Sequence, residues 1–370
     1  MANYLFVTWD GGGNVGPALE IAKELARRGN TVRFIGQAQQ RAELERHGFE
    51  FAAFSAPGSW AATGKRGGLK NAVGFLQLLT GRRLGRDVVA EVAANPTDLV
   101  VVDCLLFGAI AVIARARVRH AVLVHSLFQA VDKNMFGGAP GMIARLSGLH
   151  PRTVWSNADA VVVATLEELD QHAAAQVDLT YAGPAIPSVT PSTLASATLT
   201  VLVSLSTTFV AGQAGVLQRI LDAVAELPAR VVVTSGPAIS LEELRAPANA
   251  ELHPYLPHVE VMRSASLVVG HGGHSTTMLA LAHNLPLVIL PINLAFDQAL
   301  IGKILEAKGA GLTLPSSSTA AAIRDAVERM LAEGPHRAEA ARLGAAIRAT
   351  NGVGTAADAL QALVPSIVAG

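Results

Sequence analysis

Residues 266–291 read SLVVGHGGHSTTMLALAHNLPLVILP. Leu267–Gly270 is a short apolar run without alternation, as a strand buried on both faces requires. The chain then turns through His271-Gly272-Gly273-His274-Ser275-Thr276 and enters a helix with its N-terminus near Ser275. A second apolar run, Leu287–Leu290, follows. Strand, glycine turn, helix and strand in this order make a parallel crossover unit and point to an α/β fold. Two adjacent glycines let backbone N–H groups approach a ligand closely. Ser275 and Thr276 can cap the helix and donate hydroxyls. A helix N-terminus favours an anion, phosphate above all, and His271 could add a donor beside a diphosphate.

The same alternation extends through most of the chain. Strands are expected at Tyr4–Thr8, Thr31–Ile35, Glu50–Phe54, Leu99–Asp103, Ala121–His125 and Ala160–Ala164. They resume at Leu199–Ser204, Arg230–Thr234, Leu267–Gly270, Leu287–Leu290 and Gly311–Leu314. Helix-period segments lie between them, such as Pro17–Arg28, with Pro17 suited to a first helical turn. The pattern breaks at residues 182–198, AGPAIPSVTPSTLASAT, rich in Pro, Ser and Thr. The expected domains are therefore 1–184 and 199–353, with a linker at 185–198. Residues 354–370 form a terminal helical stretch that could pack back on the first domain. Residues 56–85 and 128–147 read as glycine-rich and loop-like.

Composition narrows the function. Of 370 residues, 51% are hydrophobic and 16% charged, which excludes a disordered chain. Lys plus Arg (29) balances Asp plus Glu (29), so bulk charge supplies no reason to expect nucleic acid or an anionic membrane as partner. The single cysteine, Cys104, rules out an intrachain disulfide and argues against a cysteine-based zinc site. The apolar stretch Leu99–Ala114 is interrupted by Asp103 and is too short to span a membrane. The N-terminus lacks a basic region before an apolar run. The expectation is a cytoplasmic protein without membrane insertion.

Three further features carry possible chemistry. Gly11-Gly12-Gly13-Asn14-Val15-Gly16 fits the G-x-G-x-x-G turn of dinucleotide-binding proteins, after a strand and before a helix. The second strand, however, runs into Gly36-Gln37-Ala38 and offers no acid to hold a ribose; a plain tight turn stays open beside NAD binding. His271 and His274, at i, i+3, could ligate a metal, but no partner is evident and no metal is expected. Residues 273–277 nearly spell the G-x-S-x-G elbow of hydrolases, with Thr277 at the last position. Asp297-Gln298 could bind vicinal sugar hydroxyls or simply start a helix.

With Phe296-Asp297-Gln298 downstream, the 266–291 pattern resembles the signature of bacterial family-1 nucleotide-sugar-dependent glycosyltransferases of natural-product type. The resemblance covers nearly the whole chain. VLVSLSTT (201–208), Tyr255-Leu256-Pro257-His258, LVVVDCLLFGAIAVIA (99–114) and VGPALEIAKELARRGNTVRFIG (15–36) match other family segments in order. It implies a GT-B fold, two Rossmann-like parallel-sheet domains facing a cleft. It implies that Tyr255 stacks on the base, Leu256 contributes its backbone, and His258 lies near the ribose. His271, Gly272, Gly273, Ser275, Thr276, Ser206 and Thr207 would hold the diphosphate, and Asp297 and Gln298 the sugar. Asp103 matches the acid that orients the catalytic base in many relatives.

The resemblance implies metal-independent inverting transfer from a TDP- or UDP-sugar to a small hydrophobic acceptor, with no cofactor; a homodimer is compatible. Trp60, Phe107, Phe128 and Phe136 could line the acceptor site, although aromatic side chains are more often core. One departure stands out. Asn14 occupies the position where many relatives carry a basic His, and an amide cannot act as a general base near neutral pH. Asp10, His125 or Asp103 could substitute, or the acceptor could be acidic enough to need little help. A catalytically silent nucleotide-sugar-binding homologue and a nucleotide-sugar 2-epimerase also remain open.

Overall fold

The computed structural model describes residues 1–55, 60, 68–170, 177–191 and 199–364. Two compact units emerge. One runs to Ile186 and takes in the chain again from Thr350; the other spans Pro187–Ala349.

The first unit holds a seven-stranded sheet in which every neighbouring pair is parallel. Its strands are β1 (Asn3–Val7), β2 (Thr31–Gly36), β3 (Glu50–Ala53), β4 (Leu99–Asp103), β5 (His120–Val124), β6 (Ala160–Val163) and β7 (Leu179–Tyr181), in the order β3-β2-β1-β4-β5-β6-β7. The second unit holds β8 (Leu199–Ser204), β9 (Ala229–Thr234), β10 (Ala250–His253), β11 (Leu267–Gly270), β12 (Leu287–Ile289) and β13 (Gly311–Thr313), ordered β10-β9-β8-β11-β12-β13. β4, β5 and β11 are buried at every position, which matches their unbroken apolar runs. In each sheet the strand order reverses once, between β1 and β4 and between β8 and β11. Ligands of open α/β sheets bind beyond the strand C-termini at such a reversal.

The expected strands are all present, with ends shifted by a residue at most. Two were not anticipated, β7 and β10. Both are edge strands, paired on one side only, and neither is fully buried at any position. LTY and AELH therefore lack the apolar run that marks a central strand.

Two segments expected as loops are largely helical. Residues 68–94 form the helices Gly68–Thr80 and Arg82–Ala94; residues 56–59 and 61–67 lie outside the described set. Within 128–147, helical turns cover Phe128–Ala130, Val131–Phe136 and Ala139–Leu146. Their glycines serve close packing: a Cβ on Gly141 would strike the carbonyls of Met135 and Phe136, and one on Gly85 would strike the Ala109 carbonyl and Val112.

The chain returns to the first unit at Thr350, four residues before the expected Gly354. Asn351 takes a left-handed conformation between the helices Pro335–Ala349 and Gly352–Ala362. Gly183, itself at positive φ, and Gly352 allow this crossing, because a Cβ on either would meet Thr350 or the Pro184 carbonyl. The expected linker does not stand apart, since Ile186 closes the first unit and Pro187 opens the second; residues 192–198 lie outside the described set. The final helix buries Ala356, Ala357 and Leu360 against a core containing Tyr4, Ile21 and Leu25.

Leu360 is wholly buried. Leu360→Ala is expected to cost the first unit about 2–5 kcal/mol, read as a lower urea midpoint for that unit.

Candidate active site

At the β1/β4 reversal the chain leaves β1 through Trp9 and Asp10 and turns at Gly12, which has positive φ, before the helix Val15–Arg27. Asn14 is buried at the start of that helix. Its Nδ2 donates to Asp103 Oδ2 at 2.9 Å and to the Trp9 carbonyl at 3.0 Å, and its Oδ1 accepts from Gly11 N at 3.1 Å. Both amide hydrogens are thereby committed inside the protein. Asn14 is a clamp, with no donor left to orient an acceptor or a water.

Asp103, the last residue of β4, is also buried. Its Oδ1 accepts from Leu105 N at 3.0 Å. His125 follows β5, and its Nε2 lies 3.3 Å from Asp103 Oδ2. Burial opposes charge on the Asp103 carboxyl, but His125, Asn14 and the Leu105 N–H outweigh it and hold the pKa below the usual value. For His125, burial also opposes the charged form; Cys104 and Asp103 outweigh it and raise the pKa well above the ordinary histidine value. The Cys104 thiol is pushed up by burial, and its backbone carbonyl accepts from Trp155 Nε1 at 3.1 Å.

Asp103, Cys104 and His125 place a carboxylate, a thiol and an imidazole nitrogen within 4.8 Å of one another. Sequence counting did not anticipate this grouping. The carboxylate is not a free ligand, because each oxygen already accepts an N–H. The three fit a proton relay better than an ion site. Asp10 is engaged elsewhere: its N–H donates to Gln37 Oε1 at 2.8 Å, and burial, with Glu43, raises its carboxyl pKa.

The NAD reading of this turn loses its physical basis. Gln37 spends its amide on Asp10 and on the Trp60 carbonyl, and a Cβ on Gly16 would meet nothing within 4 Å. The last glycine of a dinucleotide turn instead serves close helix–strand packing.

The candidate acceptor aromatics are all buried. Phe107, Phe128 and Phe136 cluster with Trp155, with Phe136 and Trp155 4.8 Å apart. Trp60 packs on Trp9 at 5.1 Å. These rings build the walls of the first unit and expose no face for an acceptor to lie on. Trp9 was not anticipated as a site residue. Among the described residues its Nε1 is a buried polar atom without a hydrogen-bond partner, just beyond the end of β1. Such an atom calls for an explanation, and a ligand group is one.

At the β8/β11 reversal the second unit gathers a different set. His271 follows β11 and hydrogen-bonds the backbone of Ser204, the last residue of β8. Burial depresses its pKa to about 4. Gly272 has positive φ, and a Cβ there would press on Ile289 and the Gln298 carbonyl; one on Gly273 would strike His271 Nε2. The helix begins at His274, with Gly273 as N-cap and no side-chain cap. Ser275 and Thr276 fall in its first turn. A first turn has N–H groups without intrahelical partners.

His274 is buried in the first turn of the helix, while His271 lies at the end of β11 against the Ser204 backbone. Ser275 is the second helical residue, not the apex of a strand–helix turn, which removes the hydrolase elbow.

Ser206 is buried and accepts from Thr208 N at 3.0 Å, while Thr207 is exposed. Tyr255 is 75% exposed, open to stacking, and Leu256 follows it. His258 is held by Thr234 Oγ1 at 3.1 Å from its Nε2. Gln298 is buried, and its Oε1 accepts from Ile292 N and Asn293 N, both at 2.9 Å, so it shapes the loop; Asp297 stands at the N-cap position of the following helix, whose start has no side-chain cap. Ser204 and Thr234, which position the two histidines, were missed from sequence because nothing local marks them.

Comparisons with known proteins agree with this geometry. A family model described as "Erythromycin biosynthesis protein CIII-like, C-terminal domain" matches residues 218–363, and one described as "Glycosyl transferase 4-like domain" matches residues 12–180. The 4'-demethylrebeccamycin synthase of Lentzea aerocolonigenes is 26% identical over 98% of this chain and 100% of that protein. The chain spans about a third, 35%, of the length of each of the first curated relatives it matches. Two solved structures share the fold. The calicheamicin glycosyltransferase CalG4 matches with a TM-score of 0.78 at 22% identity, covering 100% of this chain and 99% of that one. The glycosyltransferase VinC, solved in complex with dTDP, gives 0.73 at 17%, covering 98% and 99%. The chain shares the two-sheet GT-B fold of these solved glycosyltransferases, and its two halves are similar to an EryCIII-like C-terminal domain and a glycosyltransferase 4-like domain. Among the described residues no helix is long and apolar enough to cross a membrane.

Two outcomes are expected. Asn14→Ala removes a hydrogen bond from the buried Asp103 carboxylate and should cost about 1–3 kcal/mol in chemical denaturation. The imidazole of His271 should titrate near pH 4 by NMR. Because that pKa lies below the unfolded value, its stability contribution is complete above about pH 6.5 and is lost as pH falls toward 4. His271→Gln should flatten that part of the second unit's stability profile.

Proposed function

We propose that this chain transfers a sugar from a TDP- or UDP-sugar to a hydroxyl of a small hydrophobic natural product, with inversion and without a metal or other cofactor. The observation that supports it most is the β8/β11 reversal: His271 on the Ser204 backbone, the Gly272-Gly273 turn, and a helix N-terminus free of a side-chain cap. That arrangement suits a diphosphate. As the bond to the sugar breaks, negative charge grows on the leaving oxygens, and a preorganised helix terminus stabilises it without reorganising. His271 is neutral above about pH 4, so it acts as a hydrogen-bonding group and not as a fixed cation.

Tyr255 offers an exposed ring to the base, and Thr234 fixes His258 for the ribose. For the sugar hydroxyls Gln298 has spent its carbonyl and keeps only its amide hydrogens, and Asp297 stands beside it in sequence. The dTDP held by VinC favours a thymidine nucleotide as the first to try.

Thermal shift against TDP, UDP, ADP and NAD tests this reading. A ligand that binds only the native state must raise apparent stability. TDP or UDP should stabilise the protein, and His271→Ala should lose that shift and most turnover. A shift with NAD alone, or turnover of donor to a new free nucleotide-sugar with no acceptor present, would sink the transfer reading.

A further inference from the structure

We infer that His125, oriented by Asp103, takes the proton from the acceptor hydroxyl, and that Asn14 is the positioning residue that holds Asp103 in place for it. The inference rests on the transfer reading above and names the base which that reading lacks.

Asn14 is excluded twice over. Its amide has no basic lone pair at neutral pH, and both its hydrogens are donated internally. What it does is fix one oxygen of Asp103 while the Leu105 N–H fixes the other. A buried carboxylate so anchored cannot rotate, and it presents Oδ2 to His125 Nε2 at 3.3 Å. His125 Nε2 is itself buried. The side chain as a whole is 16% exposed, so its open surface lies on atoms other than Nε2. His125 follows β5, the strand beside β4, at the strand C-terminal edge where open α/β sheets bind ligands. Asp10 has no such partner and points its backbone at Gln37.

The proton balance is complete within this set. Asp103 facing Nε2 favours the tautomer with the proton on Nε2 and leaves Nδ1 as the acceptor. As the acceptor oxygen forms its bond to the anomeric carbon, its proton passes to Nδ1. The bond from that carbon to the diphosphate oxygen breaks, and its electron pair leaves with the nucleotide. The carboxylate stabilises the resulting imidazolium, which then releases its proton to solvent. The titratable groups facing His125 are Asp103 and Cys104, both at the end of β4. They hold the imidazole proton above the usual histidine range, so transfer should rise with pH on the alkaline side of that range.

The test uses the full chain, TDP-glucose and UDP-glucose as donors, and two acceptors of similar size and different acidity, 4-methoxyphenol and 4-nitrophenol, at pH 8. The nitrophenol ionises without help; the methoxyphenol does not. His125→Gln is expected to lower transfer to 4-methoxyphenol by about 10²–10⁴-fold, and transfer to 4-nitrophenol by less than about tenfold. Retained nitrophenol transfer also shows that the variant folds. Asp103→Asn should move the rising limb of the methoxyphenol pH–rate profile to lower pH. Unchanged rates in His125→Gln, or equal losses with both acceptors, overturn the assignment and leave the transfer reading standing. A wild-type protein that transfers to neither acceptor from either donor overturns both.

Discussion

Neighbouring parallel strands cannot be joined by a tight turn; each needs a crossover, and the crossover is right-handed. In each sheet of this chain the first strand, β1 or β8, lies inside the order, with β2 or β9 on one side and β4 or β11 on the other, so the sheet is wound away from it in both directions. The helices on its two flanks must then diverge, and a crevice opens at its C-terminal end. Both groups of candidate residues lie there. Asn14 follows β1 and Asp103 ends β4; Ser204 ends β8 and His271 follows β11. The chemistry of the two units differs, but the reason for its location is the same.

The first crevice is organised around a buried charge. Leaving an ionised carboxylate unpaired in such a place costs several kcal/mol. The protein offsets this with an amide, a backbone N–H and an imidazole arranged about Asp103. Each partner has its own consequence. The amide replaces a residue that could have been a base, the N–H fixes the strand end, and the imidazole becomes the group that feels the charge. Substitution at one site thus changes the task of the others, because they share two oxygens. The second crevice carries no ionised side chain of this kind. Its polarity comes from backbone groups at a glycine turn and a helix start, with a neutral His271 beside them.

The alternating pattern of apolar runs and helix-period segments was enough to read eleven of the strands and the α/β class. Edge strands β7 and β10 escaped because one-sided pairing relaxes the demand for apolar residues. The glycines of 128–147 misled in another way. They suggested loops, whereas they sit where one short helical turn presses on the next: a Cβ on Gly137, Gly138 or Gly141 would meet a carbonyl four to six residues earlier.

The strand–turn–helix form of HGGHST was legible because its elements are consecutive: a strand end, glycines and a helix start within ten residues. Local sequence also sufficed to show that Asn14 is no base, since that follows from the amide itself. It could not show that Asn14 has both hydrogens spent, that Gln298 is tied into its own loop, or that Cys104 lies beside His125. Those facts depend on which strands are neighbours. Residues 14, 103 and 125 come from three separate crossovers, and only the strand order β1-β4-β5 brings them to one edge. The physical reason is general: residue type sets what a group can do, while strand pairing and burial set which partners remain to it.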